Sequence, residues 1–163
     1  VLPHGVLFRK GVEGRIRKSL LELDLLETII GLGPNIFYGT QLSPCILIFS
    51  KKKQKSKKNK VFFIDVSDQI RVGNAQNYLE PEHVQKIFNL YSEYKDVQNY
   101  TKAVSLEDIK DNEYNLSISL YVEKIIEDNL PSVKETLSNL KIAYNNVSEK
   151  EKKFQSLLKK IIS

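Results

Sequence analysis

The chain has 163 residues, 41% hydrophobic and 28% charged, a balance that fits a soluble globular protein with one ordinary domain and an appendage. It excludes a membrane span, since no apolar run nears ~18 residues; no basic-then-apolar leader is present, and a single cysteine, Cys45, rules out an internal disulfide and points to a reducing, cytoplasmic setting. The formal charge of +5 is local: Lys51 to Lys60 holds seven lysines and no acid, and without it the rest would be slightly acidic.

Val1 to Phe8 reads as a strand end and loop. No methionine occurs anywhere, position 1 included, so the expectation is that amino-terminal sequence has been cut away. A helix is expected from about Glu13 to Leu23, with Ile16, Leu20, Leu21 and Leu23 on one stripe and Arg15, Arg17 and Lys18 off it. Leu25 to Leu32 and Cys45 to Phe49 read as two buried strands of a sheet, because neither alternates with polar residues. Between them lies a Gly-flanked loop carrying Asn35, Phe37 and Tyr38. Such a loop can hold a planar ligand, and the same two rings can equally be core.

The lysine run lies between the strands Cys45–Phe49 and Val61–Val66. One reading is a solvated hairpin loop whose charges keep sheet edges apart. The other is phosphate contact through Lys51, Lys52, Lys53, Lys55, Lys57 and Lys58. The absence of interleaved aromatics or arginines favours the first. Arg71 to Leu79 is expected to be polar loop. Glu80-Pro81 opens a helix whose Val84, Ile87, Phe88, Tyr91 and Tyr94 share one face. Ser105-Leu-Glu-Asp108 resembles a capping box for a short helix. Asn115 to Val122 alternates and reads as a short edge strand or extended segment.

From Ile126 the apolar positions step by four and three through Leu130, Val133, Leu137, Leu140, Tyr144 and Val147, then past Glu151 to Phe154, Leu158 and Ile161. That is a coiled-coil seam, with Pro131 at its start and a break expected near Asn145–Asn146 if Ser148 caps a second helix. A small domain rarely covers so long and narrow a seam, so a partner-binding arm is favoured over a helix packed on its own domain. The expected layout is residues 1–70 as an α/β domain, 71–125 as an appended helix and extended segments packing on it, and 126–163 as the arm.

Chemistry-bearing motifs are few. Gly31-Leu-Gly33-Pro-Asn-Ile36 half-matches G-x-G-x-x-G, but Ile36 stands where a small residue is needed, so a dinucleotide site is rejected. No P-loop or G-x-S-x-G elbow occurs. Cys45 reads as a buried small hydrophobe and Asp65 as a turn-capping residue. His4 and His83 have no partners at metal-ligand spacing, so no metal site is expected.

Several segments in order carry a family resemblance: Val1-Leu-Pro-His-Gly-Val-Leu-Phe-Arg9, Gly14-Arg-Ile-Arg17, Leu26-Glu-Thr-Ile-Ile-Gly-Leu32, Pro34-Asn-Ile-Phe-Tyr-Gly-Thr40 and Cys45-Ile-Leu-Ile-Phe49. Val61-Phe-Phe-Ile-Asp65, Val104-Ser-Leu-Glu-Asp-Ile109 and Tyr114-Asn-Leu116 continue it. Over about residues 1–125 the chain resembles the modification (methyltransferase) subunit of type I restriction–modification systems, an adenine-specific N6 DNA methyltransferase. The resemblance implies an α/β fold, the second half of a Rossmann-like S-adenosylmethionine-dependent methyltransferase sheet, followed by a helical carboxy-terminal arm. Val1–Pro3 would close its fifth strand, Leu25–Leu32 would be the sixth and Cys45–Phe49 the antiparallel seventh. The family's Asn-Pro-Pro-aromatic catalytic motif does not occur in this chain, so no catalytic residue is carried over.

What the resemblance transfers is the loop. An aromatic there stacks on the flipped-out adenine in related enzymes, which makes Phe37 the candidate, Tyr38 second and Asn35 the loop former. S-adenosylmethionine is implied for the full-length enzyme and none for this chain alone, which is expected to be inactive. The implied partners are DNA, the specificity subunit through residues 126–163, a second modification subunit and the restriction subunit, with no membrane. Two other classes compete: a non-catalytic α/β adaptor with a coiled-coil arm, and a methyltransferase acting on a small molecule or protein. An Asn-Pro-Pro-Phe or Asn-Pro-Pro-Tyr motif upstream of Val1 would discriminate them.

Overall fold

The structure, a computed structural model, describes residues 1–125 and 131–162. The chain divides into two compact units, Val1–Ile125 and Ile126–Ser163. The first is a mixed α/β unit around a five-stranded sheet: β1 (Leu2–Pro3), β2 (Leu26–Leu32), β3 (Pro44–Phe49), β4 (Lys60–Val66) and β5 (Thr101–Ser105). Its helices are α1 (Val12–Glu22), α2 (Pro81–Glu93) and α3 (Leu106–Asp111). The spatial order is β1-β3-β2-β4-β5. β2 and β4 are parallel, and every other neighbouring pair is antiparallel.

β2 is buried along all seven residues, the polar Glu27 and Thr28 included, as befits a central strand with both faces covered. Its register against β3 shifts between Leu26 and Thr28. That irregularity puts Leu26 and Ile29 in one core and Ile30 and Leu32 in the other, a parity change that a regular strand cannot make. β4 alternates normally, sending Val61 and Phe63 to the first core and Phe62, Ile64 and Val66 to the second. The first core also takes Leu21, Ile109, Leu116 and Ile118; the second is covered by Ile87, Leu90, Tyr91 and Tyr94.

Several expectations need correction. The lysine run is not a hairpin loop: β3 and β4 lie on opposite sides of β2, so residues 50–59 cross its amino end. β3 is buried only at Pro44 and Cys45, and Phe49 is exposed, because only the two-residue β1 flanks its outer side. On α1, Ile16 is exposed and Arg17 is buried instead; Leu23, which follows the helix, is exposed too. Its guanidinium donates to the carbonyls of Tyr114 and Val6 at 2.8 Å and of Arg9 at 3.1 Å, which satisfies the charge-bearing group inside the fold. On α2, Leu90 packs inward while Val84 and Phe88 face solvent. Asn115 to Val122 forms no strand; it is irregular chain with a 3₁₀ turn at Ile118–Leu120 that buries Leu116, Ile118 and Val122. β5 was not expected, and it makes residues beyond 70 part of the sheet rather than only a layer on it.

The helix starts follow their chemistry. Glu80 and His83 form a reciprocal capping box with Pro81 in the first turn. Ser105 accepts the amide of Asp108 at 3.1 Å. Asp65 closes the turn after β4 by accepting from the Ser67 amide at 3.0 Å and hydroxyl at 2.6 Å. Cys45 is fully buried and burial pushes its thiol up to about 11, as befits an inert core residue.

The second unit contains α4, Val133–Ile162, continuous through Asn145–Asn146, so the considered break is absent. At ~1.5 Å per residue it is about 45 Å long. Val133, Leu137, Leu140, Tyr144, Val147 and Phe154 are all exposed. Ile126 and Leu130 lie outside the described residues, as do the side-chain surroundings of Leu158 and Ile161. No described helix is long and apolar enough to cross a membrane.

Candidate functional site

β2 ends at Leu32 and the chain turns through residues 33–43 before β3. Gly33 starts this loop because nothing larger fits: a Cβ there would meet the Ser67 carbonyl and Ile70 at 2.7 Å. A Cβ on Gly31 would meet Ile118 at 2.5 Å. Both glycines are thus closed by packing and open no cradle for a phosphate, consistent with rejecting the dinucleotide reading. Asn35 takes the left-handed conformation, φ 55°, which an Asn tolerates better than most residues.

The loop is then stapled by a segment some 40 residues away. Asn35 Nδ2 donates to the Ala75 carbonyl at 3.2 Å, and the Asn35 carbonyl accepts the Asn77 amide at 2.8 Å. Asn77 Nδ2 donates to the Pro34 carbonyl at 2.9 Å, and Gln76 Nε2 donates to the Ile36 carbonyl. Ile36 reaches into the second core. The next two rings do not: Phe37 is 46% exposed and Tyr38 96% exposed. The core reading of that pair therefore fails, and the loop presents two aromatic faces to the outside. Gly39, at φ 76°, turns the chain back.

Phe37 borders an open depression with Val1, Leu2, Pro3, Thr40, Leu42, Ser43 and Pro44. Among the described residues no ionisable side chain lines it. It can supply apolar surface and a ring face, and it has no group for acid–base work. Charged groups cluster instead beyond the ends of β2 and β4, where Lys124 pairs with Asp65 at 3.0 Å and with Asp68 at 3.4 Å. Among the described residues no three His, Cys, Asp or Glu side chains could hold a metal ion.

The lysine segment divides by use. Lys53 is buried, donating to Asp24 at 2.5 Å and to the Lys60 carbonyl at 2.9 Å. Lys57 pairs with the buried Glu27 at 3.1 Å and lies 4.4 Å over the Tyr94 ring. Lys51, Lys52, Lys55 and Lys58 are exposed. Sequence reasoning missed Gln76 and Asn77. Their only signal is a run of amide side chains, Asn74, Gln76 and Asn77, in what reads as polar loop.

A family model described as N-6 DNA methylase matches residues 1–129. The chain belongs to the N-6 DNA methylase family. Over 99% of its length it is 36% identical to the type I restriction enzyme MjaVIII methylase subunit of Methanocaldococcus jannaschii, of which it covers 28%. Over 97% it is 31% identical to the MpnII methylase subunit of Mycoplasma pneumoniae, again covering 28% of that protein. A crystal structure of the type I restriction–modification methyltransferase subunit from Streptococcus thermophilus matches 75% of the chain with a TM-score of 0.70 and 41% identity, the chain covering 25% of it. This N-6 DNA methylase family member thus spans less than a third of the length of these relatives. The resemblance carried by the segments from Val1 to Leu116 is borne out at the level of the family.

Proposed function

We propose that this chain is part of the methylase subunit of a type I restriction–modification system, an S-adenosylmethionine-dependent DNA adenine-N6 methyltransferase in its full length. In this reading the five-stranded unit is the second half of a Rossmann-like sheet, and the Phe37 loop is one wall of the target-base pocket. The observation that carries it is the outward display of Phe37 on a stapled loop, beyond the carboxyl end of a strand parallel to its neighbour. Ligands of α/β sheets bind at that end. A flipped adenine has lost its stacking neighbours, and a ring face replaces part of that energy. Tyr38 is the second ring, and Asn35 shapes the turn.

The cofactor is a separate matter. The residues of this chain do not fit S-adenosylmethionine on their own: Gly31 and Gly33 are closed by Ile118, Ile70 and Ser67, and Asp65 is engaged by Ser67 and Lys124. The family's cofactor would supply the methyl group. The proposed partners are DNA at the loop and the specificity subunit along α4, whose exposed seam matches a knobs-into-holes surface. A second modification subunit and the restriction subunit complete the proposed assembly. A non-catalytic adaptor would share the α4 seam but gives no reason for two exposed rings.

Phe37→Ala in the full-length enzyme tests the base-loop role. Stacking is worth ~1–3 kcal/mol per base, so methylation should fall roughly 5- to 150-fold. S-adenosylmethionine affinity, measured by titration calorimetry, should stay unchanged. Unchanged methylation, or equal loss of both, defeats the reading.

A further inference from the structure

The crossing segment, residues 50–59, carries the chain's densest positive charge, and it lies at the wrong end of the sheet for the base loop. It passes the amino ends of β2 and β4, with the Ser50 amide on the Leu25 carbonyl at 2.9 Å and Lys57 on Glu27. The Phe37 loop leaves the carboxyl end of β2. Seven strand residues at ~3.3 Å each separate the two by about 23 Å. The segment therefore has no part in holding a base at Phe37.

It is also built to be rigid. Lys53 is pinned between Asp24 and the Lys60 carbonyl, and Asp24 is further occupied by the Asn59 amide at 3.2 Å. Lys57 is pinned over Tyr94, and its amide closes a turn on Gln54 at 2.9 Å. With those two lysines inside, Lys51, Lys52, Lys55 and Lys58 are left outside around one depression. Among the described residues none of the four has an ion-pair partner. The only acid in that depression among the described residues, Asp24, is already neutralised by Lys53. Four unpaired cations on a fixed backbone cost less entropy to order on binding than the same charges on a loose loop.

The segment contains no aromatic or aliphatic residue between Ser50 and Lys60, so it has nothing to stack on a base or insert in a bilayer. Its chemistry is point charge against a regular array of anions. We propose that Lys51, Lys52, Lys55 and Lys58 form a second, sequence-independent contact for the phosphate backbone of duplex DNA, at the end of the sheet opposite the Phe37 loop. The choice of DNA rests on the methylase reading above; the geometry of the contact does not. The two sites engage different stretches of duplex, one holding a base and the other only the backbone.

The experiment is equilibrium binding of the full-length protein to a fluorescent duplex without a recognition sequence, over a series of salt concentrations. Each phosphate contact contributes ~0.9 to the slope of log K against log salt. The quadruple exchange K51Q/K52Q/K55Q/K58Q should lower that slope by about 3 to 4, while Phe37→Ala leaves it at the wild-type value. If the quadruple exchange impairs folding, Lys52→Glu alone should still lower the slope by about 1. An unchanged slope in these lysine variants overturns the proposal. So does loss of binding to phosphatidylserine vesicles with the DNA slope intact, which would assign the patch to a membrane surface. Failure of the base-loop reading looks different: methylation would survive Phe37→Ala, whatever the lysine variants do.

Discussion

Lys53 is buried against Asp24 in the middle of a run that composition alone would place wholly in solvent. Its side chain is 2% exposed, and that of Asp24 is 27% exposed. Removing the ammonium leaves the Asp24 carboxylate, among the described residues, with only the Asn59 amide and strips a donor from the Lys60 carbonyl. A partner deleted from a buried polar pair costs ~1–3 kcal/mol. Asp24 retains some access to water, so about 2 kcal/mol is expected for Lys53→Ala. Lys52→Ala, exposed and unpaired, should stay within about 0.5 kcal/mol of wild type. Urea midpoints of the two variants decide it, and equal midpoints would mean that the pair does not hold the segment.

Asn77 and Pro34 make the corresponding staple at the other end of β2. Asn77 donates to the Pro34 carbonyl and accepts the Gly73 amide at 3.3 Å, so its side chain ties two loops together. Asn77→Ala leaves both partners without their protein bonds, a loss of about 1–2 kcal/mol. The sharper readout is local. Phe37 and Tyr38 are adjacent chymotrypsin sites on an exposed loop, and cleavage there requires the backbone to open. Chymotrypsin should cut after these residues faster in Asn77→Ala than in wild type, with cleavage elsewhere unchanged. A uniform acceleration at all sites would mean global destabilisation instead.

Both staples bear on what the chain discloses before folding. Elements whose cause lies within a few residues were legible: the buried runs of β2 and β4, the Glu80-Pro81 start of α2, and the Ser105 cap of α3. The Phe37 loop was legible because glycine and aromatics stand together between two apolar runs. What was not legible depends on partners distant in sequence. Arg17 reads as a surface cation until the carbonyls of Val6, Arg9 and Tyr114 converge on it. β5 is five residues of mixed polarity that become a strand because β4 offers an edge. Lys53 cannot be told from its six lysine neighbours until Asp24 faces it. The alternation from Asn115 to Val122 was real, but the first core, not a sheet edge, absorbs Leu116, Ile118 and Val122, and Leu120 stays exposed.

His4 supplies a pH dependence. Its Nε2 is buried without a hydrogen-bond partner among the described residues. Burial lowers its pKa from 6.5, against the opposing pull of Asp65 and of the Pro44 carbonyl. The folded state therefore favours neutral imidazole, while the unfolded chain takes up its proton near 6.5. Between the folded and unfolded values the unfolded state binds more protons, so stability rises with pH there. The contribution is fully present above about 6.5 and is lost as pH falls towards the lower folded value. Thermal midpoints at about pH 7.5 and about pH 5.5 should differ more for the wild type than for His4→Gln. His83 is common to both proteins and cancels in that comparison. If the two proteins lose the same number of degrees on acidification, His4 is not the group responsible.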